Sequence, residues 1–209
     1  MTNEQGSQAV SESPPTPTLS EPEPTQEAKQ TQWDELPPGL PLRRAGNDFE
    51  TFESVGGMEQ ARQLCWAVAA GLRPSALLLG PPGCGKTHLA VAALRMWYEV
   101  YRTGVFWKVP RFLAELQKLV FADDRNAFER VIEEYANPGF LLVLDDFGVH
   151  KATEWAGTTL YRIIDNRYEN SAPTIITANV PLGAIDPRIV SRMRQGLVVC
   201  EAPDWRGRE

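Results

Sequence analysis

From Met58 onward the apolar residues follow two alternating rhythms. Met58, Ala61, Cys65, Val68 and Leu72 are spaced by three and four, which predicts a helix with one buried face, ending near Gly71. Ala76–Leu79 is a short continuous apolar run, followed by a Gly/Pro-rich turn and a long helical pattern from Lys86 with Leu89, Ala93, Met96, Trp97 and Val100 on one face. Val105–Val109 predicts a second strand stopped by Pro110, and helical spacing returns over Phe112–Val120 and Phe128–Tyr135. After Pro138-Gly139 come a strand over Phe140–Leu144, a helix over Leu160–Tyr168 and a strand over Thr174–Thr177. A short helix over Pro187–Arg194 and a last strand over Leu197–Cys200 complete the pattern.

Five short apolar strands separated by helices are what a parallel sheet covered on both faces requires. The predicted fold is α/β: a three-layer sandwich around a five-stranded parallel sheet. The pattern shows no internal repeat.

Composition sharpens the domain boundary. Residues 1–46 contain 8 of the 17 prolines and only 10 of the 89 apolar residues, with 3 basic against 7 acidic side chains. So little apolar surface cannot offset the entropy of ordering, so this stretch is expected to be a disordered Pro/Glu/Gln-rich tail. Residues 47–209 are then one domain of ordinary size. The net charge of −6 gives the chain no bulk affinity for phosphate backbones, so any DNA contact must come from a local patch or several subunits. Three cysteines, Cys65, Cys84 and Cys200, lie far apart in the sequence without C-x-x-C spacing, which supports neither a disulfide framework nor a zinc cluster. No apolar run approaches 18 residues and no signal-peptide pattern opens the chain, so the expected location is cytoplasmic, away from membranes.

The candidate chemistry begins at Gly80-Pro81-Pro82-Gly83-Cys84-Gly85-Lys86-Thr87, which satisfies G-x-x-x-x-G-K-[ST] between a predicted strand and a predicted helix. Glycines let the backbone wrap a phosphate chain with its N–H groups pointing inward, and the following helix adds its positive end. Lys86 is placed to reach the β- and γ-phosphates, and Thr87 to ligate a bridging Mg²⁺. The second element is Leu141-Leu142-Val143-Leu144-Asp145-Asp146, an apolar run ending in two carboxylates, in the manner of a Walker B motif. Asp145 is the candidate to hold the metal. Asp146 is the candidate to orient or deprotonate the attacking water.

These residues resemble the AAA+ ATPases, and within them the DnaC/IstB-like helicase-loader group. The resemblance spans most of residues 49–206. It rests on the phosphate loop continued through His88 and Leu89, on Leu142–Gly148, and on Leu-Tyr-Arg-Ile-Ile-Asp-Asn-Arg-Tyr at 160–168. Thr-Ile-Ile-Thr-Ala-Asn at 174–179 carries it further: where the family usually reads threonine, serine, asparagine, Asn179 stands as sensor 1. The resemblance implies that Arg192, in Ile-Val-Ser-Arg-Met, is an arginine finger acting on a neighbouring subunit, with Arg188 as its competitor. It implies ATP and Mg²⁺ as cofactors, His88 as a structural neighbour of the loop, and a homo-oligomer with composite sites. Most relatives place Glu where Asp146 stands, which predicts slow hydrolysis. The chain ends soon after the last strand, so no C-terminal helical lid is expected; Arg206 beside Trp205 is either a partial substitute or, more commonly for such a pair, a solvated charge next to a packed ring.

Other features leave alternatives open. Phe49 or Phe52 either stacks on the adenine or packs in the core. Lys108, Arg111, Lys118 and Arg125 form a candidate single-stranded DNA patch interrupted by Glu115, Asp123 and Asp124. Trp33-Asp34-Glu35-Leu36 is either a docking motif or part of an inert linker. Cys84 is expected to serve packing, and His150 to lie at the surface. The expected function is ATP hydrolysis in a helicase loader that assembles on single-stranded DNA with a replicative helicase. The alternatives are an IstB-like ATPase coupled to a transposase, and a nucleotide-gated binding module with negligible hydrolysis.

Overall fold

The period-two alternation within each strand sorts side chains onto the two faces of one sheet. In β1 (Ser75–Leu79), Ala76 and Leu78 join one core cluster while Leu77 and Leu79 join the other. The computed structural model describes residues 39–40, 44, 46–52, 57–122, 125–148 and 153–204, with Arg125 described by its backbone alone. Trp33–Leu36, Asp123, Asp124, His150, Trp205 and Arg206 lie outside the described residues, as does the Arg125 side chain.

Helix α1 (Glu59–Ala69) precedes β1, and after β1 come α2 (Lys86–Tyr101), β2 (Val105–Lys108), α3 (Val109–Phe121) and α4 (Arg125–Tyr135). Then follow β3 (Leu142–Phe147), α5 (Glu154–Glu169), β4 (Thr174–Ala178), α6 (Pro187–Met193) and β5 (Leu197–Val199). The five strands form one parallel sheet in the order β2-β3-β4-β1-β5. Helices α1 and α2 supply the cluster on one face, and α3, α5 and α6 that on the other, giving the three layers expected. No helix of the described residues is long and apolar enough to cross a membrane.

The chain leaves β1 for β2 at the sheet edge and later returns to fill β3, β4 and β5, so β1 marks a reversal in strand order. Ligands in such sheets bind at the carboxyl ends of the strands beside that reversal. The phosphate loop, the carboxylates of β3 and Asn179 after β4 all sit at those ends.

The first, fourth and fifth strands differ from expectation by one residue at one end, and the other two differ for reasons that bear on the site. The strand expected over Val105–Val109 closes at Lys108, because Val109 and Pro110 open α3, where the missing N–H of proline leaves no hydrogen bond unmade. The strand expected over Phe140–Leu144 begins at Leu142 and runs on through both carboxylates to Phe147. Polar residues continue it because Asp145 and Asp146 are bonded across the sheet.

The packed domain also reaches back before residue 47. Leu40, inside the expected tail, is buried against the core cluster of α1 and α2.

Arg167 holds the far end of this frame together. It is fully buried on α5, and its five N–H groups donate to the carbonyls of Tyr135, Asn137, Phe140 and Pro173 and to the Thr174 hydroxyl, at 2.6 to 3.3 Å. Burial pushes its pKa down to about 9, which leaves it charged at neutral pH.

Candidate active site

The phosphate loop is shaped by backbone that other residues resist. Gly80 has φ +152° and Gly85 φ +101°. A Cβ on Gly80 would lie 2.4 Å from the Cys200 carbonyl oxygen, and one on Gly85 2.7 Å from the Phe52 ring, so both positions need glycine for space as well as for conformation. Lys86, the first residue of α2, is buried, and its Nζ donates to the carbonyls of Gly80 at 2.8 Å and Pro81 at 2.6 Å and to Cys84 Sγ at 3.4 Å. The ammonium is thus curled into its own loop, where it stiffens the turn through Pro81, Pro82 and Gly83.

Thr87 and Asp145 are 58 residues apart in sequence, yet the Thr87 hydroxyl donates to Asp145 Oδ1 at 2.7 Å. β4 lies between β1 and β3, and its Thr177 fills the gap by donating to the same oxygen at 2.7 Å. The remaining oxygen, Asp145 Oδ2, is buried and has no hydrogen-bond partner among the described residues. An orphaned buried carboxylate oxygen is costly, and one beside a threonine hydroxyl at the end of a phosphate loop fits a hydrated divalent cation. Thr87 and Asp145 are the residues that would hold Mg²⁺.

Asp146 has a separate environment. Its φ of +59° is rare for a residue other than glycine, and the β3–β4 register shifts between Leu144 and Phe147, so the two carboxylates occupy a bulge. The bulge turns successive side chains out of strict alternation. Asp146 N–H donates to Thr177 Oγ1 at 3.3 Å, Asn179 Nδ2 donates to Asp146 Oδ1 at 3.2 Å, and Lys108 Nζ to Asp146 Oδ2 at 2.7 Å. Sequence reasoning placed Asn179 and Asp146 at one site, and they meet. It assigned Lys108 to a DNA patch and had no role for Thr177. The signal for Lys108 was its place at the carboxyl end of β2, where the ladder sets it opposite Asp145.

Segment 46–52 is pinned across α2. Arg95 Nη1 donates to the Asn47 carbonyl at 2.9 Å, and His88 Nε2 lies 2.8 Å from the Asp48 carbonyl oxygen. This is the structural part expected of His88. Phe52 packs edge-on to His88 with ring centroids 5.2 Å apart, beside Gly85, while Phe49 lines a cavity of about 440 Å³ with Arg62, Gln63, Trp66 and Ala67. Both rings also pack on the core, so stacking and packing are not exclusive.

Three of the cations expected to form a DNA patch have partners within the chain. Lys108 is held by Asp146, Lys118 pairs with Glu115 one turn away at 2.8 Å, and the Arg111 guanidinium lies 5.9 Å from the Trp107 ring. Arg192 is paired within its own chain: Nε donates to Asp165, Nη2 to the Tyr161 hydroxyl at 2.8 Å, and Nη1 to the Arg188 carbonyl at 3.2 Å. Its competitor Arg188 pairs with Asp186 at 2.6 Å and lies 4.3 Å over the Tyr161 ring. No hydrogen bond among the described residues joins either arginine to Lys86, Thr87, Asp145 or Asp146. Cys84 packs in the core as expected, and the fold brings it into one cluster with Cys200, 116 positions away.

Comparison with known proteins agrees with this geometry. The profile of the IstB-like ATP binding protein family matches residues 67–190. The chain is 30% identical over 143 residues to the ATP-binding protein of insertion sequence IS21 from Pseudomonas aeruginosa, covering 67% of this chain and 51% of that protein. It is 29% identical over 149 residues to the insertion sequence IS5376 ATP-binding protein of Geobacillus stearothermophilus, covering 69% and 56%. The chain thus spans about half the length of the curated relatives it matches. In fold it is similar to the DnaC helicase loader, with TM-score 0.65, 24% identity and coverage of 78% and 100%, and to DnaI, with TM-score 0.62, 20% identity and coverage of 84% and 99%. With that profile matching residues 67–190, a span that contains the phosphate loop and the paired carboxylates, the chain belongs to the IstB-like ATP-binding protein family.

Proposed function

We propose that the protein is a Mg²⁺-dependent ATPase of an insertion sequence, driving a partner transposase on DNA. The observation that carries the ATPase reading is the meeting of Thr87, Thr177 and Asp145 beside the Lys86 loop, with Asp146 bracketed by Lys108 and Asn179. Lys86 exchanges its loop carbonyls for the β- and γ-phosphates, the loop N–H groups cradle them, and Asp146 orients the attacking water and accepts its proton. Asn179 fixes the Asp146 carboxylate. Bound Mg²⁺ would supply charge neutralisation on the phosphates, held by Thr87 and Asp145. Arg192, released from Asp165, acts on the nucleotide of an adjacent subunit.

The choice of partner rests on the relatives at 29–30% identity, which are insertion-sequence proteins. The helicase-loader reading, which the sequence motifs do not separate from the transposase-coupled one, keeps one observation of its own, the fold shared with DnaC and DnaI along nearly their whole length. A test of the ATPase measures hydrolysis against protein concentration, with and without single-stranded DNA, alongside Lys86→Ala. A rate rising faster than linearly and lost in Lys86→Ala supports composite sites. Tight ATP binding with a flat, negligible rate supports the nucleotide-gated module instead. Stimulation by a transposase encoded beside the gene, and not by a replicative helicase, separates the two partners.

A further inference from the structure

The residue that follows β5 is tied to the residue that precedes the phosphate loop. Cys200 N–H donates to the Leu79 carbonyl at 2.6 Å, and an ideal Cβ on Gly80 would stand 2.9 Å from the Cys200 Cβ. From this position Cys200 packs on Gly80, and the Lys86 ammonium links Gly80 to Cys84, donating to the Gly80 carbonyl at 2.8 Å and to Cys84 Sγ at 3.4 Å, so that the Cys84 and Cys200 side chains interact. All three cysteines are free and share one core cluster. Cys84 and Cys200 are both buried, while Pro81 and Pro82 of the same loop are exposed.

We propose that Cys84 and Cys200 form a reversible oxidation site, in which a peroxide oxidises Cys84 and Cys200 closes a disulfide that straps the phosphate loop to the end of β5. The Cys84 thiolate attacks one peroxide oxygen, the O–O bond breaks, and water leaves once a proton is taken up. The sulfenic acid so formed is attacked by Cys200, the S–S bond forms, and a second water leaves with the Cys200 proton. Two thiols lose two electrons and one peroxide becomes two waters; an external dithiol reverses the step. The Lys86 ammonium beside the sulfur favours the thiolate that this chemistry needs. Cys65 is a poor competitor, because burial pushes its thiol pKa well up.

The site shares Lys86 with the nucleotide. Phosphate and the Cys84 thiolate compete for one ammonium, so bound ATP withdraws the cation that activates the sulfur, and the disulfide fixes a loop that must wrap the phosphates. This inference rests on the nucleotide reading of the loop given above.

The test uses the full chain. Reduced protein is first titrated with a fluorescent ATP analogue and Mg²⁺, then treated with hydrogen peroxide with and without ATP, and mapped by mass spectrometry without reduction. The expected result is a Cys84–Cys200 linked peptide, nucleotide affinity lowered about tenfold or more and restored by dithiothreitol, and slower linkage with ATP present. Cys65→Ser should behave as wild type, and Cys200→Ser should carry Cys84 on to the sulfinic acid. Three alkylatable thiols remaining in oxidised wild type would overturn the pairing, and a linked peptide with unchanged affinity would overturn the coupling to nucleotide. Reduced protein that binds no nucleotide would fail the ATP reading, while the peptide map would still decide the pairing.

Discussion

Lys108 Nζ lies 2.7 Å from Asp146 Oδ2, so the carboxylate assigned to the attacking water is already held by a cation from the neighbouring strand. The pair is partly exposed, and the positive φ of Asp146 turns its side chain toward β2. The ammonium occupies Oδ2 and Asn179 occupies Oδ1, so a water can reach the carboxylate only by displacing one of them. Replacing Lys108 with Met should therefore raise turnover several-fold while the Kd for ATP stays unchanged, as read by steady-state hydrolysis and equilibrium binding. Asp146→Asn should lower turnover by about 100-fold or more and keep binding. Unchanged turnover in Asp146→Asn would remove that residue from the mechanism.

Arg192 is a latched residue in this chain. Asp165 and Tyr161 hold its guanidinium, and their hydrogen bonds and charge push its pKa up. If it acts on the neighbouring subunit, mixtures of Arg192→Ala with Lys86→Ala proteins should recover activity through composite sites that keep one intact Lys86 and one intact Arg192. No recovery at any mixing ratio would refute the trans assignment. Asp165→Asn, which loosens the latch, should lower the protein concentration at which the rate turns upward.

Arg167 joins α5 to the loop before β3 and to the start of β4. Arg167→Met would remove the guanidinium donors from the carbonyls of Tyr135, Asn137 and Phe140 and from the Thr174 hydroxyl, while Pro173 keeps the Leu142 N–H, at a combined cost of roughly 3–5 kcal/mol. In a domain of this size that corresponds to a fall in Tm of about 6–20 °C. Thermal unfolding by circular dichroism checks it, and a change below about 2 °C would show that water replaces the guanidinium.

The hydrogen bond from Cys200 and the Lys86 ammonium lower the Cys84 pKa to about 6. Its thiolate fraction, and with it the rate of iodoacetamide labelling, should climb as pH rises through about 6, whereas an ordinary thiol does so near 8.5. Saturating MgATP should move the labelling midpoint upward by drawing Lys86 away. A midpoint above 8 in the nucleotide-free protein would show that Lys86 does not activate this sulfur.

Leu40 gives the truncation experiment a sharp form. Removing residues 1–34 should leave Tm unchanged. Removing residues 1–46 should cost the burial of Leu40, about 1.5–3 kcal/mol. Equal melting of both truncations would place the boundary after Leu40.

The sequence by itself determined the elements and the fold class, because period-two and period-3.6 patterns record which face of each element is buried, and a strand buried on both faces cannot be edge-solvated. It also determined the phosphate loop, whose glycines, Lys86 and Thr87 are contiguous and whose chemistry is local. What lay beyond its reach is contact across strands. The sheet order inserts β4 between β1 and β3, and that order alone brings Thr177 onto Asp145, just as the ladder of β2 on β3 brings Lys108 to Asp146. The bulge that frees Asp146 leaves no mark in an apolar run ending in two acids. Leu40 was hidden inside a proline-rich composition, since one buried side chain does not change an average. Cys84 and Cys200 read as unrelated residues because their 116-position separation closes only when β5 pairs with β1. Local chemistry is written in adjacent residues, and long-range chemistry exists only once the parallel strands have chosen their neighbours.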